Sequence, residues 1–288
     1  MAVRGLLSSI RLLSKFHLIV KIAIFSIFFG KFFYQSEFRK KSIVIILVCF
    51  FSAGLYGKTT LPNHDEILPY LLPNDHPIKA SLDSFFSKKR VIFNRKTLED
   101  AGFANTTPRQ FTSLIVTTHP NYPGCIFKLY LDVQRYHHRT SELYLWLLRV
   151  EGAEKVRHVI AEHHLDSFLK VPKKWIYFLP DQAKIPDGYY PRHYILIEED
   201  MELVSNTENR TYWSSEKVTP SLLNAVYLVL SEVGLSDCAK IDNIPVSKDG
   251  KIAFIDTQTH GKGKVPFHRL NKALSSGNRA YWKYISEQ

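Results

Sequence analysis

Cysteine is scarce in this sequence of 288 residues, with three in all. Cys49 lies inside an apolar run, which leaves Cys125 and Cys238 for the rest of the chain. Two cysteines exclude a disulfide scaffold, and they lack the paired spacing of a zinc site. Histidine is more common, at 12, but "RHVIAEHH" (157–164) lacks the His-Glu-x-x-His spacing that puts two imidazoles on one helix face. His158, His163 and His164 therefore read as a solvated helix end. Acid is nearly missing from the first 58 residues, where Glu37 stands against nine Lys and Arg. That segment holds +8 of the chain's net charge of +11. The remainder is close to balanced, which argues against a dedicated nucleic-acid surface. Glycine-rich loops are also missing ahead of the strand that carries Lys128: "THPNYPG" (118–124) has one glycine.

The basic residues of the first segment flank two apolar runs. "FHLIVKIAIFSIFFGKFFY" (16–34) approaches the length of a membrane span if Lys21 and Lys31 snorkel towards the interfaces. "RKKSIVIILVCFFSAGLYGK" (39–58) has the basic start, apolar middle and small-residue exit of a secretory signal, although it does not begin the chain. Three readings stand: an export signal preceded by extra sequence, a membrane hairpin, or two buried core helices. The first two give an organisation of 1–58 as a membrane or targeting segment, apolar at 16–34 and 42–57, and a connector over 59–80. The chain is then expected to be membrane-associated or secreted. In the connector, "LPNHDEILPYLLPNDHP" (61–77) is too broken by proline for a long helix.

Beyond the connector the pattern predicts an α+β domain. "SLIVTTHPNYPGCIFKLYLD" (113–132) reads as strand, turn and strand, and Lys128 takes the opposite face from Phe127 and Leu129. Leu143, Leu147, Val150, Ala153, Val156 and Ile160 recur at helical spacing within 139–165, giving one amphipathic helix, or two broken at Gly152. Strands follow at "KKWIYFLP" (173–180) and "RHYILIEEDMEL" (192–203). "TPSLLNAVYLVLSEVG" (219–234) has Thr219 as N-cap, Pro220 in the first turn and Gly234 as a stop.

"DNIPVSKDGKIAFIDTQTHGKG" (242–263) contains the strongest local signal. Two short apolar runs, 244–246 and 251–255, flank Asp249-Gly250, a hairpin turn. Asn243 before the first run and Asp256 after the second then emerge at the same end of the ribbon. An amide oxygen and a carboxylate side by side make a hard-oxygen site of the kind Mg2+ accepts. Such residues also cap turns and end strands with no ligand at all.

The order is thus Lys strand, helix, two strands, acidic connector, apolar helix, Asp- and Asn-bearing loop, hairpin, Asp. It resembles the protein-kinase-like fold over about residues 110–260. "FKLYLD" (127–132) stands where that family has its phosphate-binding Lys strand. "ILIEEDMELV" (195–204) is similar to the last small-lobe strand and the hinge, "LSDCAKIDNI" (235–244) to the catalytic loop, and "AFIDTQ" (253–258) to the magnesium-binding strand end.

The resemblance implies a bilobal molecule: a small lobe over 81–204 with an antiparallel sheet, and a truncated helical large lobe over 205–288. It implies Mg2+ and ATP as ligands, with Lys128 on the phosphates and paired to Glu142 or else Glu151. Glu199 and Met201 would lie at the nucleotide, Asn243 and Asp256 would hold metal, and Asp237 would orient the attacking hydroxyl.

The chain departs from that pattern in several places. Asp237 and Asn243 are six residues apart rather than five, Leu235-Ser236 replaces His-Arg, and Asp256-Thr257-Gln258 replaces Asp-Phe-Gly. Three functions are consistent with this pattern: a kinase acting on an unknown protein or small-molecule hydroxyl, a nucleotide-binding pseudokinase without turnover, and a secreted or membrane-tethered interaction protein.

Overall fold

The computed structural model describes residues 67–105, 114–134, 141–180, 185, 187–261 and 263–287. The chain divides after Thr60, and these residues all belong to the second unit, Leu61–Gln288. The expected apolar helices at 16–34 and 42–57 lie outside the described residues. Among those described, no helix is long and apolar enough to cross a membrane.

The architecture is α+β. Five strands form one antiparallel sheet: β1 (Ala104–Asn105), β2 (Ile115–Thr118), β3 (Cys125–Leu129), β5 (Lys174–Phe178) and β6 (Tyr194–Glu199), in the order β1-β2-β3-β6-β5. β3, which carries Lys128, is central. Lys128 lies opposite Leu196 on β6, and Glu198 of β6 lies opposite both Ile126 and Lys174. Paired residues share a face. Lys128, Lys174 and Glu198 therefore lie on one face of the sheet with Leu196 and Ile176.

The two faces are covered differently. Phe127, Leu129, Ile195, Ile197, Trp175 and Tyr177 pack against Leu82 and Phe86 of α1 (Lys79–Lys88) and Leu98 of α2 (Arg95–Asp100). The Lys128 face packs against Leu143, Trp146, Leu147 and Val150 of α3 (Glu142–Glu162). Ser141 caps α3, its hydroxyl accepting from Tyr144 N. The helix runs without a break through Gly152, which settles the alternative of two helices.

A second core forms beyond the sheet. Val156, Val159 and Ile160 from the later turns of α3 meet Leu222, Leu223, Val226, Val229 and Leu230 of α5 (Pro220–Val233). Trp213 of α4 (Asn206–Trp213) and Trp282 of α6 (Ser276–Ser286) complete it, with a 3-10 helix at Phe267–Lys272 between α5 and α6 in the packing. The ends of α5 fall where expected: Thr219 Oγ1 accepts from Leu222 N at 3.2 Å, and Gly234 takes the left-handed conformation with φ +67°. Only glycine adopts that φ without strain.

The 249–250 turn is present, with Gly250 at φ +83° and Asp249 Oδ1 accepting from Lys251 N at 3.1 Å. Val246 bridges Ile252 across it. The second run makes its ladder elsewhere: β7 (Ile252–Ala253) pairs in parallel with β4 (Leu169–Lys170), the segment that follows α3. Pairing ties the hairpin to α3 and so fixes where Asp256 leaves it.

Candidate functional site

Between the sheet and the second core lies a cleft of about 580 Å³. Leu114, Val116 and Ile126 form an apolar wall, and the 199–203 connector closes one side. Lys128, Glu198, Arg149, Lys248, Asn243 and Asp256 supply charged and polar lining, and the connector adds Glu199, Asp200 and Glu202. Lys128, Glu199, Met201, Asn243 and Asp256, singled out in the sequence, therefore share one cavity. Glu142 and Asp237 are outside its lining.

Lys128 is buried, and its partner is Glu198 at 2.7 Å. The helix carboxylate expected for it, Glu142 or Glu151, is not that partner. Glu142 sits at the start of α3 near Arg192 and Asp132, where burial pushes its carboxyl up to about 7 against the pull of Arg192. Its Oε1 has no hydrogen-bond partner. Glu151 lies 3.8 Å from His260. The reason for the exchange is one of register: Glu198 stands beside Lys128 on the neighbouring strand, while α3 brings Arg149 to the cleft.

Glu198 also pairs with Lys174 at 3.1 Å, and both lysine ammoniums donate to Ile255 O, at 3.1 Å from Lys128 and 2.9 Å from Lys174. Ile255 immediately precedes Asp256, so this cluster positions the carboxylate. Burial pushes Lys174 down to about 8 despite Glu198. Burial acts to raise the carboxyls of Glu198 and Asp256, but the surrounding cations outweigh it and hold both below the usual range. For Asp256 those cations are Arg149, Lys128 and Lys174. The cluster therefore has three cations and two carboxylates.

Helix α3 also clamps the segment after Asp256. Thr257 Oγ1 donates to Arg149 O at 2.6 Å, and a Cβ placed on Gly152 would lie 2.0 Å from Thr257 O. Cys238 Sγ donates to Asp256 O at 2.6 Å, and Asp237 N donates to Thr259 Oγ1 at 3.0 Å. The loop before the hairpin and the segment after it are thereby tied together.

Asn243 Nδ2 donates to Asp237 O at 2.7 Å and to its Oδ2 at 3.3 Å. With the nitrogen so committed, the amide oxygen is what Asn243 has to offer a ligand. Asp256 Oδ1 is buried without a hydrogen-bond partner. These oxygens fit a hard cation such as Mg2+. Asp237 is half-buried, and its carboxylate is paired with Lys240 and with Arg269 at 3.3 Å. Elsewhere among the described residues, Glu162, His163 and Glu232 bring ligand atoms within 4.8 Å of one another, but all three are exposed.

Arg149, Lys174, Glu198 and Lys248 were not singled out from the sequence. Alternation groups Glu198 with Leu196 in one strand and Lys174 with Ile176 in another, but bringing them to Lys128 takes the register of the sheet. No protein-family model matches this chain, and no curated protein matches it at significant similarity.

Proposed function

We propose that the cleft binds Mg-ATP and that the chain is an atypical protein-kinase-like molecule, with the sheet as its small lobe and the second core as a truncated large lobe. The observation that carries this reading is the meeting of Lys128, Asn243 and Asp256, from three separate stretches of chain, in one cavity with the 199–203 connector. On this reading the base lies between the apolar wall and the connector near Glu199 and Met201, and the Lys128 ammonium meets the phosphates. Asn243 Oδ1 and Asp256 would hold Mg2+, which would neutralise charge on the transferred phosphoryl group. Asp237 would orient the hydroxyl of the phosphate acceptor. The anchoring or export role proposed for 1–58 belongs to residues outside those described.

A second reading, nucleotide binding without turnover, is favoured by one observation: Lys240, Arg269 and Asn243 already engage the Asp237 carboxylate. A carboxylate so occupied has fewer lone pairs free to receive an acceptor hydroxyl.

Thermal-shift titration of the full chain with ATP, with and without Mg2+, tests the binding. Nucleotide at a hundred times its dissociation constant should add about 2.7 kcal/mol of stability. Asp256→Ala should abolish the Mg-dependent part, Asn243→Ala should weaken it less, and Lys128→Ala should weaken binding with or without metal. No shift in the wild type, or the same shift in all four proteins, would sink the reading. Release of inorganic phosphate or transfer to an acceptor then separates kinase from binding module.

A further inference from the structure

Arg149 is a cation without a counter-ion at contact distance. It is 5% exposed, lies 5.2 Å from the centre of the Trp146 ring, and has two neutral neighbours, Leu145 O at 3.4 Å from Nη1 and the Tyr130 hydroxyl. Its Nε has no partner, and among the described residues no carboxylate lies within 4 Å of it. A guanidinium has five N–H donors, and burying them without acceptors is costly. A structural arginine in such a place would close on Asp256, whose field it shares. It does not, and it lines the cleft. The buried cluster of Lys128, Lys174, Arg149, Glu198 and Asp256 carries one positive charge more than its two carboxylates balance, while the cleft's other carboxylates, Glu199, Asp200 and Glu202, are exposed on the connector.

An anion in the cleft would supply both the missing charge and the missing acceptors. The planar fork of arginine matches the oxygens of phosphate in a way that a lysine ammonium does not. We infer that Arg149 is a phosphate-binding residue and that the cleft takes a polyphosphate anion without metal. This deepens the nucleotide reading of the same site, but it stands on the guanidinium and the charge excess rather than on Asn243 and Asp256.

The test is calorimetric titration of the full chain with sodium tripolyphosphate in EDTA at low ionic strength. Wild type should bind. Arg149→Gln should weaken binding about tenfold or more, and Arg149→Lys should fall between, keeping the charge but not the fork. Without ligand, Arg149→Gln should be as stable as wild type or more so, because it removes an uncompensated buried charge. Failure of the folded wild type to bind tripolyphosphate overturns the inference, as do equal affinities for wild type and Arg149→Gln. A ligand-free Arg149→Gln that is less stable, or unfolded, also overturns it, by making Arg149 a structural partner of Asp256. A parallel titration with Mg-ATP keeps the two ideas apart. Tripolyphosphate binding without Mg-ATP binding would remove the nucleotide reading and leave Arg149 in place.

Discussion

Glu198 and Asp237 are built alike and placed differently. Each is a carboxylate between two cations, Lys128 and Lys174 for the first, Lys240 and Arg269 for the second. The Glu198 side chain is 4% exposed and its lysines 8% and 0%, whereas the Asp237 side chain is 39% exposed and its partners are as open. In water the second group is screened and its long side chains are held at an entropic penalty, so it contributes little. In the buried cluster the charges depend on one another, and removing one leaves others stranded. The same charge pattern thus acts as an organising element in one place and as an adjustable surface in the other. Positioning of Ile255 and Asp256 belongs to the first, while the second stays open to solvent.

The largest effect should come from Glu198→Gln. It strands two buried lysines with only Ile255 O and Asp256 for compensation, and should lower stability by about 3–5 kcal/mol. Urea denaturation at neutral pH measures this. A loss under about 1 kcal/mol would mean that the two clusters do not differ as described. Next in size is Gly152→Ala, which attacks the same region through shape rather than charge. A Cβ 2.0 Å from Thr257 O must displace either α3 or the segment after Asp256. The expected loss is about 1–3 kcal/mol, larger than the helical advantage of alanine over glycine. A rise in melting temperature would show that the clamp on Thr257 yields freely.

The contrast between the two clusters also marks where sequence reading succeeds and where it stops. Features set by neighbours in the chain were legible: both ends of α5, the 249–250 turn, the strands of Lys128 and Glu198, and the convergence of Asn243 with Asp256. Each depends on local backbone preference or on period-two alternation. The resemblance points to a helix glutamate, Glu142 or Glu151, as the partner of Lys128, whereas the structure pairs it with Glu198 of β6. Only the register of β3 against β6 decides between them, and that is a long-range fact. Arg149 was missed for the same reason, since which turn of α3 faces the cleft depends on how closely Gly152 approaches Thr257. α1 and α2 are short and weakly patterned: α1 has no side-chain cap, and the Asn94–Thr97 capping box of α2 is the local signal that 79–100 carries. α4 did carry a signal, the Ser205 to Glu208 capping box, which the acidic run ahead of it obscured.

A pH series sharpens the comparison further. Burial takes the Lys174 ammonium from its ordinary 10.5 down to about 8. Between those values the unfolded chain binds more protons than the folded one, so stability rises with pH across the window, and the penalty is fully present below about pH 8. Lys174→Met lacks this term. Wild type should therefore gain about 1–2 kcal/mol relative to the variant between roughly pH 8 and pH 9.5. Parallel curves for the two proteins would show that Lys174 titrates as a solvated lysine and that the cluster is wet.

The smallest effect on stability, and the most informative one on function, is expected at Asp237. Asp237→Asn keeps the shape and the reach of the side chain while removing its charge from Lys240 and Arg269. Both partners are more than 40% exposed and can turn to water, so the loss should stay within about 1 kcal/mol. Arg269→Ala should do no more, and the difference from wild type should shrink further as salt is added. Nucleotide affinity should change little in either, because Asp237 does not line the cleft and its backbone oxygen, the nearer acceptor at 2.7 Å, still holds Asn243 Nδ2. Turnover separates the two proposed functions. If Asp237 orients an acceptor hydroxyl, Asp237→Asn removes phosphoryl transfer while Mg-ATP still binds, and Arg269→Ala frees the carboxylate and leaves transfer intact or faster. If the carboxylate only anchors its two cations, neither substitution changes a rate. A fall in stability of several kcal/mol for Asp237→Asn would erase the distinction between the two clusters, since the exposed one would then be as tightly coupled as the buried one.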